Sequence, residues 1–147
     1  EELAEIIRTV KARGVRFIVK GVMTPDEARL AAEAGADGIV VSNHGGRVLD
    51  HAPGVAEVLA EVAQAVKGRI TVLADGGVRD GVDVLKFLAL GADAVLIGRP
   101  FSVAALGGGA EGVQAYAEKV KAELSQAMVL TGCHTVSEIG PRALRRG

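Results

Sequence analysis

The sequence is poor in the residues that bind nucleic acid, cross a membrane or form disulfides. Its 147 residues include no tryptophan, one tyrosine and three phenylalanines. Few platforms remain for stacking bases, and no basic tract is interleaved with aromatics, so a nucleic-acid partner is not expected. A single cysteine, Cys133, excludes an internal disulfide and fits a reducing compartment, which makes the cytoplasm the expected location. A small buried or half-buried thiol on a helix is its expected state. No apolar run approaches the roughly 20 residues that span a bilayer, and the opening EELAEIIRTVKARG lacks the basic and apolar regions of a secretory signal. Charge of one sign is also missing: 17 basic against 18 acidic residues leave a formal net charge of −1. What is present is a 49% hydrophobic composition, enough for the core of a soluble globular domain.

Helical and strand patterns alternate along the chain. EELAEIIRTVKARG leads into VRFIVKG, PDEARLAAEAGA into DGIVVSN, PGVAEVLAEVAQAVKG into ITVLADGG, and DGVDVLKFLALGA into DAVLIGRP. Two joints are near copies, EAGADGIVVS at Glu33 to Ser42 and ALGADAVLIG at Ala89 to Gly98. Repeated βα units with non-alternating apolar strands predict a parallel sheet with strands buried on both faces. After a glycine hinge, Gly107 to Gly109, a long helix is expected through about Ala110 to Leu130, with Val113, Tyr116, Val120 and Leu124 on one face. Four strands are half of an eight-stranded barrel, which takes about 250 residues when complete. The expected fold is therefore α/β, half of a (β/α)8 barrel: about four βα units plus a C-terminal helix, one unit over residues 1–147. Because the chain begins at Glu1 without methionine, the missing part is expected on the N-terminal side.

The chemistry gathers where strands end. SNHGGRVLD, Ser42 to Asp50, follows the apolar run DGIVV and precedes an amphipathic helix with Val55, Leu59, Val62 and Val66 on one face. It is thus a strand-to-helix connection, and ligands of α/β proteins bind at the carboxyl ends of strands. His44 carries an imidazole that can take a proton; Gly45 and Gly46 allow close approach of a ligand; Arg47 offers a planar fork for a carboxylate. A lone loop histidine is ordinarily structural or solvated, but here base, clamp and glycines arrive together. Lys20, expected at the end of VRFIVKG, either stabilises negative charge on a ligand or lays its stem along apolar surface with its head in water.

ADGGVRDG and IGRP follow the third and fourth strands. In barrels the last two strand-to-helix loops commonly bind phosphate through backbone amides and a helix N-terminus. Gly76, Gly77 and Gly98 would supply amides, and Arg79 and Arg99 positive charge. Asp75 would repel a phosphate, which assigns it to hydroxyl groups beside one. The alternative for the glycines is turn chemistry alone; two such loops, each with an arginine, favour the anion.

VKGV, SNHGGRVLD, ADGGVRDGVDVLKFLALGADAVLIGRP and the tail AMVLTGCHTVSEI together resemble the C-terminal half of the FMN-dependent α-hydroxy acid dehydrogenases and oxidases. The resemblance runs from about Phe17 to Ile139. It implies FMN as cofactor and oxidation of a small L-2-hydroxy acid, such as lactate or glycolate, to the 2-oxo acid. In that frame His44 is the base, Arg47 holds the substrate carboxylate, Lys20 lies near the flavin N1 and O2 edge, and Ser42 contacts the flavin. Asp75, Gly76, Gly77 and Arg79 match the ribityl and phosphate loop, and Gly98 with Arg99 the second phosphate contact. Val48 departs from the polar residue, often glutamine, expected there, which should perturb packing more than chemistry. The family's N-terminal half supplies tyrosines near the substrate, a second arginine and an aspartate that orients the histidine; none has a counterpart here. The isolated piece is therefore expected to be weak or inactive, and to associate with itself or with the missing half. A flavin-binding module without redox activity and a purely structural half-barrel are the alternatives.

Overall fold

The computed structural model describes residues 1–144. Strands β1 (Ile18–Val22), β2 (Gly38–Val41), β3 (Thr71–Ala74) and β4 (Ala94–Val95) are all parallel and pair in chain order. Helix α1 (Glu2–Lys11) precedes them, α2 (Pro25–Glu33), α3 (Val55–Val66) and α4 (Gly81–Ala89) connect them, and α5 (Arg99–Thr131) follows. Sequential parallel strands with a helix between each pair form a section of a (β/α) barrel, the expected class.

The helix starts are written in the sequence. Thr24 caps α2 in a reciprocal box, its hydroxyl accepting from Glu27 N–H (3.2 Å) while the Glu27 carboxylate accepts from Thr24 N–H (3.1 Å). Asp80 caps α4 through Asp83 N–H at 2.8 Å. On α3 the anticipated face Val55, Leu59, Val62 and Val66 is buried to the last residue. These side chains join Ile7, Ile39, Val41, Val72 and Phe87 in the core between sheet and helices, where each large apolar side chain contributes about 1.5–3 kcal/mol.

The repeated joint has a structural meaning. In both copies the helix ends in a left-handed glycine, Gly35 or Gly91, and the following aspartate latches onto the neighbouring strand. Asp37 bonds Phe17 through both its backbone N–H to Phe17 O and its carboxylate to Phe17 N–H, each 2.8 Å. Asp93 does the same to Val72, both bonds 2.7 Å.

Three expectations need correction. Only β2 is buried on both faces; β1 and β3 alternate, because one face packs on helices while the other looks into the open interior. Ile18 and Leu96 are 48% and 41% exposed. Lys20 lies inside β1, which continues to Val22 past an irregularity in its pairing with β2. The glycine hinge and the helix beyond it stand as expected, with the break at Gly109 (φ 57°, ψ −141°); unexpected is a further helical stretch that starts at Arg99 and runs to that hinge. Pro100 is what hid its start: proline punctuates a sequence, yet it is accepted in a helix's first turn. Cys133 is buried as expected, but in the turn beyond the left-handed Gly132 that ends α5, not on a helix.

Candidate active site

Every candidate site residue except Ser42 and Gly46 lines one cleft of about 820 Å³ at the carboxyl ends of the strands. Lys20 comes from β1, His44 and Arg47 from the loop after β2, Asp75, Gly76, Gly77 and Arg79 from the loop after β3, and Gly98 and Arg99 from the segment after β4. Ser42 is fully buried beneath Lys20.

Three polar side chains make the floor. Lys20 Nζ donates to Ser42 Oγ at 2.7 Å and pairs with Asp75 Oδ2 at 2.9 Å, so the lysine head is held, not free in water. Ser42 Oγ also accepts from His44 N–H at 3.1 Å, which ties the histidine turn to the lysine. The other carboxylate oxygen, Asp75 Oδ1, is buried without a partner. A buried acceptor left unpaired costs about 1–3 kcal/mol, so this oxygen retains an unmet hydrogen-bonding capacity within the site.

The turn that carries His44 is folded by its own residues. Asn43 Oδ1 accepts from Gly45 N–H (3.0 Å) and its amide donates to Pro53 O (3.2 Å), closing a single turn of 3-10 helix over His44–Gly46. His44 itself has φ 55°, a left-handed conformation uncommon outside glycine and held here by the surrounding bonds. Its ring lies over Gly21, where an added Cβ would come within 2.8 Å of His44 Cε1. Gly21 is thus a site residue that the sequence did not disclose, since its need for a bare backbone arises only when His44 folds over it. Among the described residues no carboxylate lies within ion-pairing distance of His44; the one histidine ion pair is His51 with Asp50, at 3.7 Å. His44 and Arg47 are both exposed toward the cleft.

The glycine loop opposite is built for close approach. Gly76 and Gly77 have φ of 88° and 86°, and side chains added at Gly77 or Gly98 would meet nothing within 4 Å. Arg79 is held at its backbone N–H and Nε by the Asp83 carboxylate, at 3.2 and 3.3 Å. Arg99 Nη2 donates to Gly45 O at 3.4 Å, joining the α5 start to the histidine turn. Tyr116, whose spacing with Val113 and Val120 reads as core, instead lines the cleft and donates to Arg79 O at 2.7 Å. Burial raises its pKa above the usual tyrosine value.

As a class, a parallel βα section with these loops at its strand ends is the ligand-binding end of a (β/α) barrel. Residues 1–146 match the family model described as FMN-dependent dehydrogenase, and the chain belongs to that family. It is 51% identical over 130 residues to an L-lactate dehydrogenase of Xanthomonas campestris pv. campestris, covering 88% of this chain and 34% of the relative. It is 53% identical over 123 residues to a peroxisomal (S)-2-hydroxyacid oxidase of Arabidopsis thaliana, covering 84% and 34%. A crystal structure of mandelate oxidase with benzoyl-formic acid superimposes with TM-score 0.89 at 45% identity, covering 97% of this chain and 42% of that one. The chain thus spans about a third of the length of the curated relatives it matches, and its fold is a partial barrel.

FMN is the family's cofactor, and the cleft fits it on two counts. The unpaired Asp75 Oδ1 is an acceptor awaiting a hydroxyl, as a ribityl chain provides. The Gly77 and Gly98 backbones are bare toward open space beside Arg79 and Arg99, as a phosphate requires. Among the described residues no helix is long and apolar enough to cross a membrane.

Proposed function

We propose that this chain is the C-terminal half-barrel, a single unit, of an enzyme that oxidises a small L-2-hydroxy acid to the 2-oxo acid with FMN. The observation that carries this reading is the convergence on one cleft of a base, a carboxylate clamp and a phosphate loop, His44, Arg47 and Gly76 to Arg79. Relatives named for lactate, (S)-2-hydroxy acids and mandelate support the substrate class.

Arg47 would bind the substrate carboxylate through its two-pronged fork and so orient the hydroxyl-bearing carbon. His44 would take the proton from the substrate, its ring position fixed by the strained turn and by Gly21. Lys20, braced between Ser42 and Asp75, would supply positive charge to stabilise a reduced, anionic flavin. Asp75 would accept a ribityl hydroxyl, while Gly76, Gly77, Arg79, Gly98 and Arg99 would hold the phosphate. Bound FMN supplies the two-electron acceptor for the oxidation.

His44→Ala in the full-length protein that carries this chain should lower turnover with L-lactate or glycolate by about 10²- to 10⁴-fold, the usual contribution of a positioned base. FMN binding should persist. A variant that turns over at the wild-type rate removes His44 from the mechanism.

One observation favours a second reading for the chain taken alone, a flavin-binding half-barrel without redox activity: His44 has no orienting carboxylate among the described residues. We place the orienting groups in the remainder of the barrel, which would also cover the open interior face. The single buried thiol supports a cytoplasmic location.

A further inference from the structure

The glycine loop and α4 are tied to the second half of α5 at two backbone points. Tyr116 donates its hydroxyl to Arg79 O at 2.7 Å, and Glu123 accepts from Gly81 N–H at 3.1 Å. Both side chains come from the stretch after the Gly109 bend, two turns apart, so they grip residues on either side of the Asp80 cap. The contact between them is backbone to backbone, since a Cβ on Gly81 would fall 2.0 Å from Leu124 N. Tyr116 is itself fixed: its ring meets Phe101 edge to face, with centroids 4.8 Å apart and planes at 89°. Phe101 lies in the first half of α5, so the tyrosine joins both arms of the bent helix to the loop.

We propose that Tyr116 is a positioning residue for cofactor binding, whose hydroxyl holds the Arg79 carbonyl and so preorders the Gly76–Arg79 loop for the flavin phosphate. The inference rests on the reading of that loop as the phosphate site. Its logic is that two consecutive left-handed glycines make a supple segment, and ordering such a segment at the moment of binding weakens affinity. A carbonyl held by a hydroxyl is fixed in direction, which restrains its peptide plane from turning the oxygen toward an anion. The Asp83 carboxylate fixes the Arg79 N–H from the other side, so one residue is held at both its backbone groups.

The test is flavin binding to the apoprotein of the full-length enzyme, followed by fluorescence with FMN and with riboflavin, which lacks the phosphate. Tyr116→Phe keeps the ring against Phe101 and removes only the hydroxyl. It should weaken FMN binding by about three- to tenfold, the worth of one hydrogen bond, and leave riboflavin binding unchanged. Equal loss for both flavins, or no loss for either, overturns the proposal. Wild-type protein that binds riboflavin as tightly as FMN overturns the phosphate reading beneath it, and the proposal with it.

Discussion

Arg47 and Tyr116 mark what single residues did and did not disclose. The placement of His44 and Arg47 at the cleft was legible because local patterning locates their strand-end position. Tyr116 was not, since an aromatic at helical spacing with valines reads as core; only the bend at Gly109 turns its face toward the cleft. Gly21 was equally silent, because its requirement is tertiary. At this scale the sharpest expectation concerns Arg47. Arg47→Lys keeps the charge but loses the planar fork, so KM for the hydroxy acid should rise about tenfold or more while FMN affinity stays put. Unchanged KM in steady-state assays would take the carboxylate clamp away from Arg47.

At the level of elements, the duplicated Gly-Ala-Asp joint proved more informative than its apolar pattern alone. Each copy ends a helix in a left-handed glycine and delivers an aspartate that locks the next strand to its neighbour. Asp37 also binds Lys11 at 2.8 Å, bringing α1 to the β1–β2 edge. The Lys11 hydrogen bond first, then that from Phe17 N–H, hold the Asp37 pKa below its ordinary 3.8. A depressed folded value means that the unfolded chain binds the proton more readily. Its stabilising contribution is therefore complete above the ordinary carboxylate range and fades as pH falls through the depressed value. Asp37→Asn should lower Tm at neutral pH and flatten its fall in acid, as thermal melts across that range would register; parallel Tm curves for the two proteins would refute the latch. The exposure of the inner strand faces has a related reason. Apolar runs predicted burial on both sides, but burial of the inner face depends on strands from elsewhere in the barrel, and local sequence does not reveal how much of it surrounds them.

On the scale of the whole molecule, β1 and β4 are the edges of the four-stranded sheet, and Ile18 and Leu96 sit exposed on or beside it. Unpaired edges and apolar surface of this kind favour association. The 147-residue chain by itself should sediment as a self-associated species; a monodisperse, well-folded monomer would contradict that. The partial-barrel fold was readable from four βα repeats, and the family from motifs spread over three loops, whereas the cleft's shape needed the fold. On the proposed reading this cleft is one wall of a flavin and hydroxy-acid site. Its most direct test is anaerobic mixing of L-lactate or glycolate with the FMN-loaded full-length protein while the visible flavin band is watched. The band should bleach as the hydroxy acid is oxidised; flavin that binds and stays yellow with both acids would overturn that reading of the cleft.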